Sequence, residues 1–398
     1  MHVKYPYAKM VALDIAYNVG SRDENPEKTG LAHLMEHLMF GGSINIPDYD
    51  TPLQNAGGEN NAWTNTDITN FYLTIPAQNV ETGFWLESDR MLSLAFKPES
   101  LEVQRNVVME EFKQRYLNQP YGDTSHLIRT MAYKVHPYQW PTIGKELSHI
   151  AGVTMDDVHD FFFRYYAPDN AVLAVTGNIE WDEVLRLAGK WFGPIPCRNV
   201  HKPAEPIEPE QTQQRTLAVE RHVPVDSLYM AFHMDGYSSS DYCAYDMLTD
   251  ILSNGQSSRL TQHLVDEQKL FTSIDAYVYS TIAPGLLQIG GKLASGVGMD
   301  EAEAAVWNEL NTLACNSVGS YELEKVKNKF ESTQIFGFMN YQSVAAQLAW
   351  FELMGDANGI DRQVDRYKSV TPEQLQQVAQ RCFTPNNSSV LYYKSVAG

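Results

Sequence analysis

Apolar positions recur along the chain at two spacings, and each spacing predicts a different element. "MVALDIAYNVG" (10–20) mixes continuous and alternating apolar residues, several β-branched or aromatic, and ends in glycine, which predicts a strand. "TNFYLTIP" (69–76) sets Phe71, Leu73 and Ile75 against Tyr72 and Thr74, a second strand closed by Pro76. "NAVLAVTGNI" (170–179) reads as another. "LAHLMEHLMFGG" (31–42) instead places Leu31, Leu34, Met35, Leu38 and Met39 on one helical stripe, with Gly41 and Gly42 as the stop. "VETGFWLESDRMLSLAF" (80–96) and "ESLEVQRNVVMEEFKQRYL" (99–117) also suit helices, the second being rich in good helix formers. Sheet and helix mix in each half, which predicts an α+β layering.

The stretch "GPIPCRNVHKPAEPIEPEQTQQ" (193–214) carries five prolines and few apolar residues, the signature of an extended linker. It divides the chain into an N-terminal domain (1–195), a Pro-rich linker (196–214) and a C-terminal domain (215–398). The halves resemble each other. "VTMDDVHDFFFRYYAPDN" (153–170) aligns without a gap on "VTPEQLQQVAQRCFTPNN" (370–387) at a constant offset of 217. A helix ending before a proline turn could arise twice independently, but a matched register over the whole helix favours duplication. The expected fold is therefore two homologous α/β-sandwich domains from an internal duplication.

Composition narrows the partners. With 30 basic and 49 acidic residues the net charge is −19, which argues against nucleic acid and for cationic ligands or simple solubility. No stretch approaches the ~18 uninterrupted apolar residues of a membrane span. The four cysteines (Cys197, Cys243, Cys315, Cys382) form no C-x-x-C pair and suggest neither a zinc ribbon nor a disulfide framework. The opening "MHVKYPYAKMVALDIAYNVGSR" lacks the pattern of a signal peptide.

The polar positions of 31–42 raise a chemical question, because an otherwise apolar helix carries His33, Glu36 and His37. Residues i and i+4 project from the same face and i+3 lies beside them. His33 and His37 can thus chelate one ion while Glu36 reaches a water beside it. Neutral imidazoles suit zinc, and a catalytic zinc takes three protein ligands and leaves one position open. A third ligand must come from elsewhere, most often a carboxylate. The bland alternatives are a solvated polar face or a satisfied core cluster. H-x-x-E-H is the inverzincin signature, the reverse of H-E-x-x-H, and is only suggestive by itself.

"GLAHLMEHLMFGGS", "GGENNAWTNTDITNFY" and "RNVVMEEF" together resemble the pitrilysin/insulinase family of zinc metallopeptidases, in the short branch of mitochondrial processing peptidase and its bacterial relatives. The resemblance covers nearly the whole chain, including "HPYQWPTIG". Family chains usually begin with an Asn-Gly-Leu strand ahead of the counterpart of Met10, and that piece is absent or altered here. The resemblance implies one zinc per chain, held by His33, His37 and Glu111, with Glu36 as general base. Glu110 is the rival third ligand, since helical geometry alone does not choose between neighbours. The family's acidic position seven residues before the ligand holds Gln104, an exchange expected to moderate activity without affecting metal binding. Asn61 and Ala62 match an edge-strand segment on which extended peptides pair main chain to main chain, Asn61 as a backbone clamp; its bland reading is a turn residue in "ENN".

The second half is the control. Its equivalent stretch, "YDMLTDILSNGQSSRL" (245–260), has no histidine. Active family members also carry an arginine and, seven residues later, a tyrosine in this half, which steady the substrate carbonyl. In "HLVDEQKLFTSIDAY" those positions are Val265 and Thr272, and neither can substitute. Arg259 and Tyr277 lie nearby, out of register. The expectation is a zinc endopeptidase acting on peptides or unfolded segments, basic ones favoured, as the zinc-bearing subunit of a heterodimer whose homologous zinc-free partner supplies the missing pair. A homodimer, or a non-catalytic assembly subunit, is the alternative. A purely structural zinc would need a fourth ligand, and none is evident. The resemblance implies a soluble protein of the bacterial cytoplasm or periplasm.

Overall fold

The computed structural model describes residues 1–396. Five strands form the first sheet: β1 (His2–Lys4), β2 (Met10–Tyr17), β3 (Glu59–Thr64), β4 (Thr69–Pro76) and β5 (Ala171–Gly177). Their order is β1-β5-β2-β4-β3, antiparallel except for the β1/β5 pair. The piece before Met10 is thus a three-residue parallel strand with His2 opposite Val175. A second sheet has the same plan. β6 (Arg215–Arg221), β7 (Ser227–Met234), β8 (Phe271–Val278), β9 (Gly285–Leu293) and β10 (Ser388–Ser395) take the order β6-β10-β7-β9-β8, again with a parallel first pair. The fold is therefore α+β with two domains, each built on a five-stranded sheet.

The offset of 217 persists in three dimensions. It separates the starts of β2 and β7 (10 and 227), of helices Met155–Tyr165 and Pro372–Cys382 (155 and 372), and of β5 and β10 (171 and 388). Both helices open on a threonine, Thr154 or Thr371, whose side chain accepts the N–H three residues on. Both stop before a proline, at the turns Pro168–Asn170 and Pro385–Asn387.

In the first sheet, Val11, Leu13, Leu73, Ile75 and Val175 bury one face against Phe84 and Leu86 of helix Val80–Leu92 and Val184 and Leu187 of helix Trp181–Trp191. The opposite face carries Ala12, Asp14, Ala16, Ala174 and Thr176, all buried. These small side chains let a helix approach closely, and the helix that lies there on β2 and β5 is Tyr341–Leu353, from the far end of the chain. Thr176 Oγ1 donates to the Tyr341 carbonyl at 2.6 Å. Reciprocally, helix Thr124–Ala132, encoded in the first half, packs Ile128, Met131 and Ala132 against Ala231, Leu286, Leu391 and Tyr393 of the second sheet. The compact units are accordingly discontinuous: 1–114, 140–205 and 335–361 in one, 115–139, 206–334 and 362–398 in the other. A single cut at the Pro-rich segment does not describe them, because amphipathic periodicity marks a buried helical face without saying which sheet it covers.

The Pro-rich segment has no regular structure from 196 to 212, as its composition predicts, but it is strapped down. In the first unit Arg198 donates to the carbonyls of Phe162, Tyr166, Met91 and Leu92, satisfying two helix ends at once. In the second, Glu208 accepts the backbone N–H groups of Lys134, Val135 and His136.

Candidate metal centre

His33, Glu36 and His37 sit on the eight-residue helix Leu31–Leu38, which buries Leu31, Ala32, Leu34, Met35 and Leu38 and leaves those three half-buried on its other side. Helix Pro98–Phe112 packs along it. Pro98 starts that helix with its φ already set, and Arg105 ties it down by donating to the Val153 carbonyl at 2.6 Å. Glu111, in its last turn, is thereby brought to the histidines. Glu111 Oε2 lies 3.7 Å from His33 Nε2 and 3.7 Å from His37 Nε2. The imidazoles meet edge to face, 4.8 Å between centroids. Glu110 faces away and pairs with Lys113 at 2.5 Å.

One ligand atom from each of His33, His37 and Glu111 lies within 4.8 Å of the other two, and among the described residues this is the group that could hold an ion. Ligand atoms around a four-coordinate zinc with bonds of about 2.0–2.2 Å stand roughly 3.3–3.6 Å apart, so the set fits after a small closing motion. Two imidazoles and one carboxylate leave a fourth position for water. The side chains are 12%, 24% and 22% exposed, enough for ion and water to enter.

Two further contacts orient the group. Gln104 Oε1 lies 3.3 Å from His37 Nδ1. An amide oxygen can only accept, so this contact puts the His37 proton on Nδ1 and turns the Nε2 lone pair toward Glu111. The exchange of an acid for Gln104 therefore keeps the acceptor and drops its charge. Thr64, at the end of β3, donates its hydroxyl to Glu36 Oε2 at 2.5 Å. The signal for Thr64 in the sequence is the run "NAWTN", in which it follows Asn61 by three on the strand beside the helix. Below, the fully buried Tyr166 is held protonated, first by burial, with the Glu36 charge adding to it.

β3 ends its sheet, with β4 on its one side. Its outer face presents Asn61, whose Oδ1 accepts the N–H of Ala62 at 2.8 Å; Ala62 itself points to the other face and is half-buried. In the second unit, Val265 lies in the π-helical segment Thr261–Glu267, and Thr272, the second residue of β8, donates to the Lys292 carbonyl. Arg259 is committed to Glu322 by two hydrogen bonds of 3.0 and 2.7 Å, and Tyr277 donates to Gln288 at 3.3 Å. No described helix is long and apolar enough to cross a membrane.

Comparison with known proteins bears on the chain as a whole. The family model "Insulinase (Peptidase family M16)" matches residues 2–145, and "Peptidase M16 inactive domain" matches 152–330. Among curated proteins, the zinc protease PqqE of Helicobacter pylori is 28% identical, over 97% of this chain and 88% of its own length. YmxG of Bacillus subtilis, called an uncharacterized zinc protease, is 24% identical over 97% and 93%. The crystal structure of a protease from Helicobacter pylori superposes with a TM-score of 0.91 at 26% identity, covering 99% of this chain and 96% of that one. A Pseudomonas fluorescens structure described as a peptidase M16 inactive domain shares the fold, with a TM-score of 0.89 at 16% identity over 100% and 95%. With the two models together matching residues 2–145 and 152–330, the chain belongs to the insulinase family of peptidases, M16, in its short bacterial form.

Proposed function

We propose that the chain is a zinc-dependent endopeptidase that hydrolyses peptides or unfolded segments, with one zinc bound by His33, His37 and Glu111. The observation that carries this reading is the convergence of His33 Nε2, His37 Nε2 and Glu111 Oε2 beside the carboxylate of Glu36. A bound zinc would supply Lewis acidity and lower the pKa of water at the open position. Glu36, one residue from His37 and steadied by Thr64, takes the proton of the attacking water and returns it to the departing amine. Gln104 fixes the tautomer of His37. The end strand β3, through Asn61 and Ala62, receives an extended substrate by main-chain pairing, and the net charge of −19 favours basic segments.

Shared strand order and the recurring offset support descent of residues 1–195 and 215–398 from one duplicated unit, joined by 196–214, with the metal centre kept in the first copy. A specific observation favours a subunit role. Val265 and Thr272 offer no cation and no long hydroxyl for a developing oxyanion, and Arg259 is neutralised by Glu322. We therefore assign the chain to a heterodimer in which a homologous zinc-free subunit supplies an arginine and a tyrosine. A homodimer and a non-catalytic assembly role are the competing outcomes. The compartment we assign is the bacterial cytoplasm or periplasm.

The test is hydrolysis of internally quenched peptides by the purified chain, alone and with homologous zinc-free subunits, with zinc content measured in parallel. One zinc per chain is expected, with slow cleavage alone and a gain on the order of 10²–10³ with the partner. Glu36→Gln should keep the zinc and abolish the gain. Fast turnover alone, unmoved by any partner, would restore the homodimer; zinc uptake without hydrolysis in any combination would favour the assembly role.

A further inference from the structure

The helix Leu31–Leu38 has no cap of its own. Its N-cap, Gly30, is in the left-handed region (φ 93°) and has no side chain to offer the first turn, yet that turn is buried. Buried N–H groups at a helix start need acceptors. They are supplied from six residues upstream. Glu24 Oε2 accepts the N–H of Gly30 at 2.9 Å and Glu24 Oε1 accepts that of Ala32 at 2.8 Å. The carboxylate is itself held by Trp140, whose indole N–H is shared between Glu24 Oε2 (3.1 Å) and the Ser21 carbonyl (2.9 Å). Both residues are buried.

The surrounding chain closes on the same point. Lys145 N–H donates to Thr29 Oγ1 at 2.7 Å, and that hydroxyl also meets His149 Nδ1 at 2.9 Å. A Cβ on Gly30 would lie 2.7 Å from the Ile143 carbonyl oxygen. Segment 140–149 thus grips the turn at 29–30, and Glu24 joins that grip to the first helical N–H groups. His33 follows Ala32 directly. The buried apolar face of this two-turn helix sets its rotation broadly, and Glu24 pins the first turn at that setting. With side chains about 5–6 Å from the axis, a swing of roughly 15° would move the imidazoles by about 1.5 Å, more than a metal constellation tolerates.

We propose that Glu24, oriented by Trp140, is a positioning residue for the metal centre: it sets the start and the axial rotation of the His33 helix so that both imidazoles face Glu111. The inference rests on the zinc reading above. Glutamate suits the task because its two oxygens meet two separate N–H groups at once. Glutamine in its place keeps one acceptor and sets an amide NH₂ against the other N–H. Phenylalanine in place of Trp140 removes the indole N–H and keeps an aromatic ring, a smaller one, in the same pocket.

Zinc affinity by competition with a fluorescent chelator, and the visible absorption of the cobalt(II)-substituted protein, test this on the full chain at a temperature where the metal-free form is folded by circular dichroism. Glu24→Gln should weaken zinc binding about 10- to 100-fold and change the cobalt band, and Trp140→Phe should weaken it roughly 3- to 10-fold. A residue that only stabilised the fold would lower the melting temperature and leave both metal readings as in the wild type. That result would overturn the proposal. Should Glu24→Gln fail to fold, the same readings on Trp140→Phe decide. Failure of the wild type to take up one zinc would instead overturn the metal reading and this inference with it.

Discussion

Thr64 donates its hydroxyl proton to Glu36 Oε2 at 2.5 Å, so a strand residue holds the carboxylate that the helix presents. The bond removes one rotational freedom from a side chain whose neighbour, His37, is already fixed by Gln104. A hydrogen bond to a charged group is worth about 1.5–3 kcal/mol. Thr64→Val should therefore lower kcat by roughly 10- to 100-fold while leaving zinc content unchanged, and Thr64→Ser should restore most of the rate. Peptide hydrolysis with parallel metal analysis checks it; loss of zinc in Thr64→Val would mean that Thr64 supports the ligands instead.

The two adjacent glutamates of helix Pro98–Phe112 should behave differently. Glu111→Gln removes a carboxylate that lies 3.7 Å from both imidazoles, and zinc should be lost on dialysis. Glu110→Gln breaks a surface pair with Lys113, an interaction worth little, and zinc should stay near one per chain. Metal content after dialysis is the measurement, and the reverse pattern would shift the ligand by one residue.

Gln104 offers a comparison of acceptor against charge. Gln104→Ala should weaken zinc binding about 10- to 100-fold by freeing the His37 ring. Gln104→Glu keeps the acceptor and should bind zinc at least as tightly as the wild type. Chelator competition separates the two, and equal affinities in all three proteins would show that the contact does not orient His37.

Asp14 should make stability depend on pH. It is buried on β2, where it accepts from Asn70 at 2.6 Å. Burial pushes its carboxyl up to about 7, against the pull of Asn70 and with some help from Glu87. A carboxyl raised in the folded state holds its proton more tightly there than in the unfolded chain. Its ionisation therefore costs nothing below the ordinary carboxylate range and progressively more as pH climbs to about 7. Asp14→Asn should melt above the wild type at pH 8, with the gap narrowing toward pH 5. A gap that widens on acidification would reverse the sign argued here.

Strong local periodicity made part of this protein legible in its sequence. The alternation of Phe71, Leu73 and Ile75 marks β4 at its observed bounds, 69–76. The stripe from Leu31 to Leu38 marks the helix that turns His33, Glu36 and His37 outward. The repeated "VT…P-x-N" pattern marks two helices that start 217 residues apart. What escaped depends on contacts with no local period. β1 is a strand of three residues, too short to alternate, and it exists because β5 offers it hydrogen bonds. The bond from Thr64 to Glu36 joins positions 28 apart, and the contact of Gln104 with His37 joins positions 67 apart. Glu24 sits in "SRDENPEKTG", a stretch whose polarity reads as loop, while its carboxylate is buried at a helix start. Helix 124–132 is amphipathic and helix 341–353 is apolar without a marked polar face, and packing alone assigns each to the sheet of the opposite half.

The exchanged helix 341–353 also sets an order of events during synthesis. The candidate metal ligands His33, His37 and Glu111 are made early. The sheet beneath them keeps Ala12, Asp14, Ala16 and Ala174 uncovered until Tyr341–Leu353 has left the ribosome. Unfinished apolar faces stay mobile and open to proteases. Stalled chains ending before Tyr341 should therefore be cut within their first 177 residues, whereas chains extending beyond Leu353 should resist. A growing chain of this kind carries all three candidate zinc ligands long before it has the frame on which to hold them, so metal uptake should follow the arrival of Tyr341–Leu353.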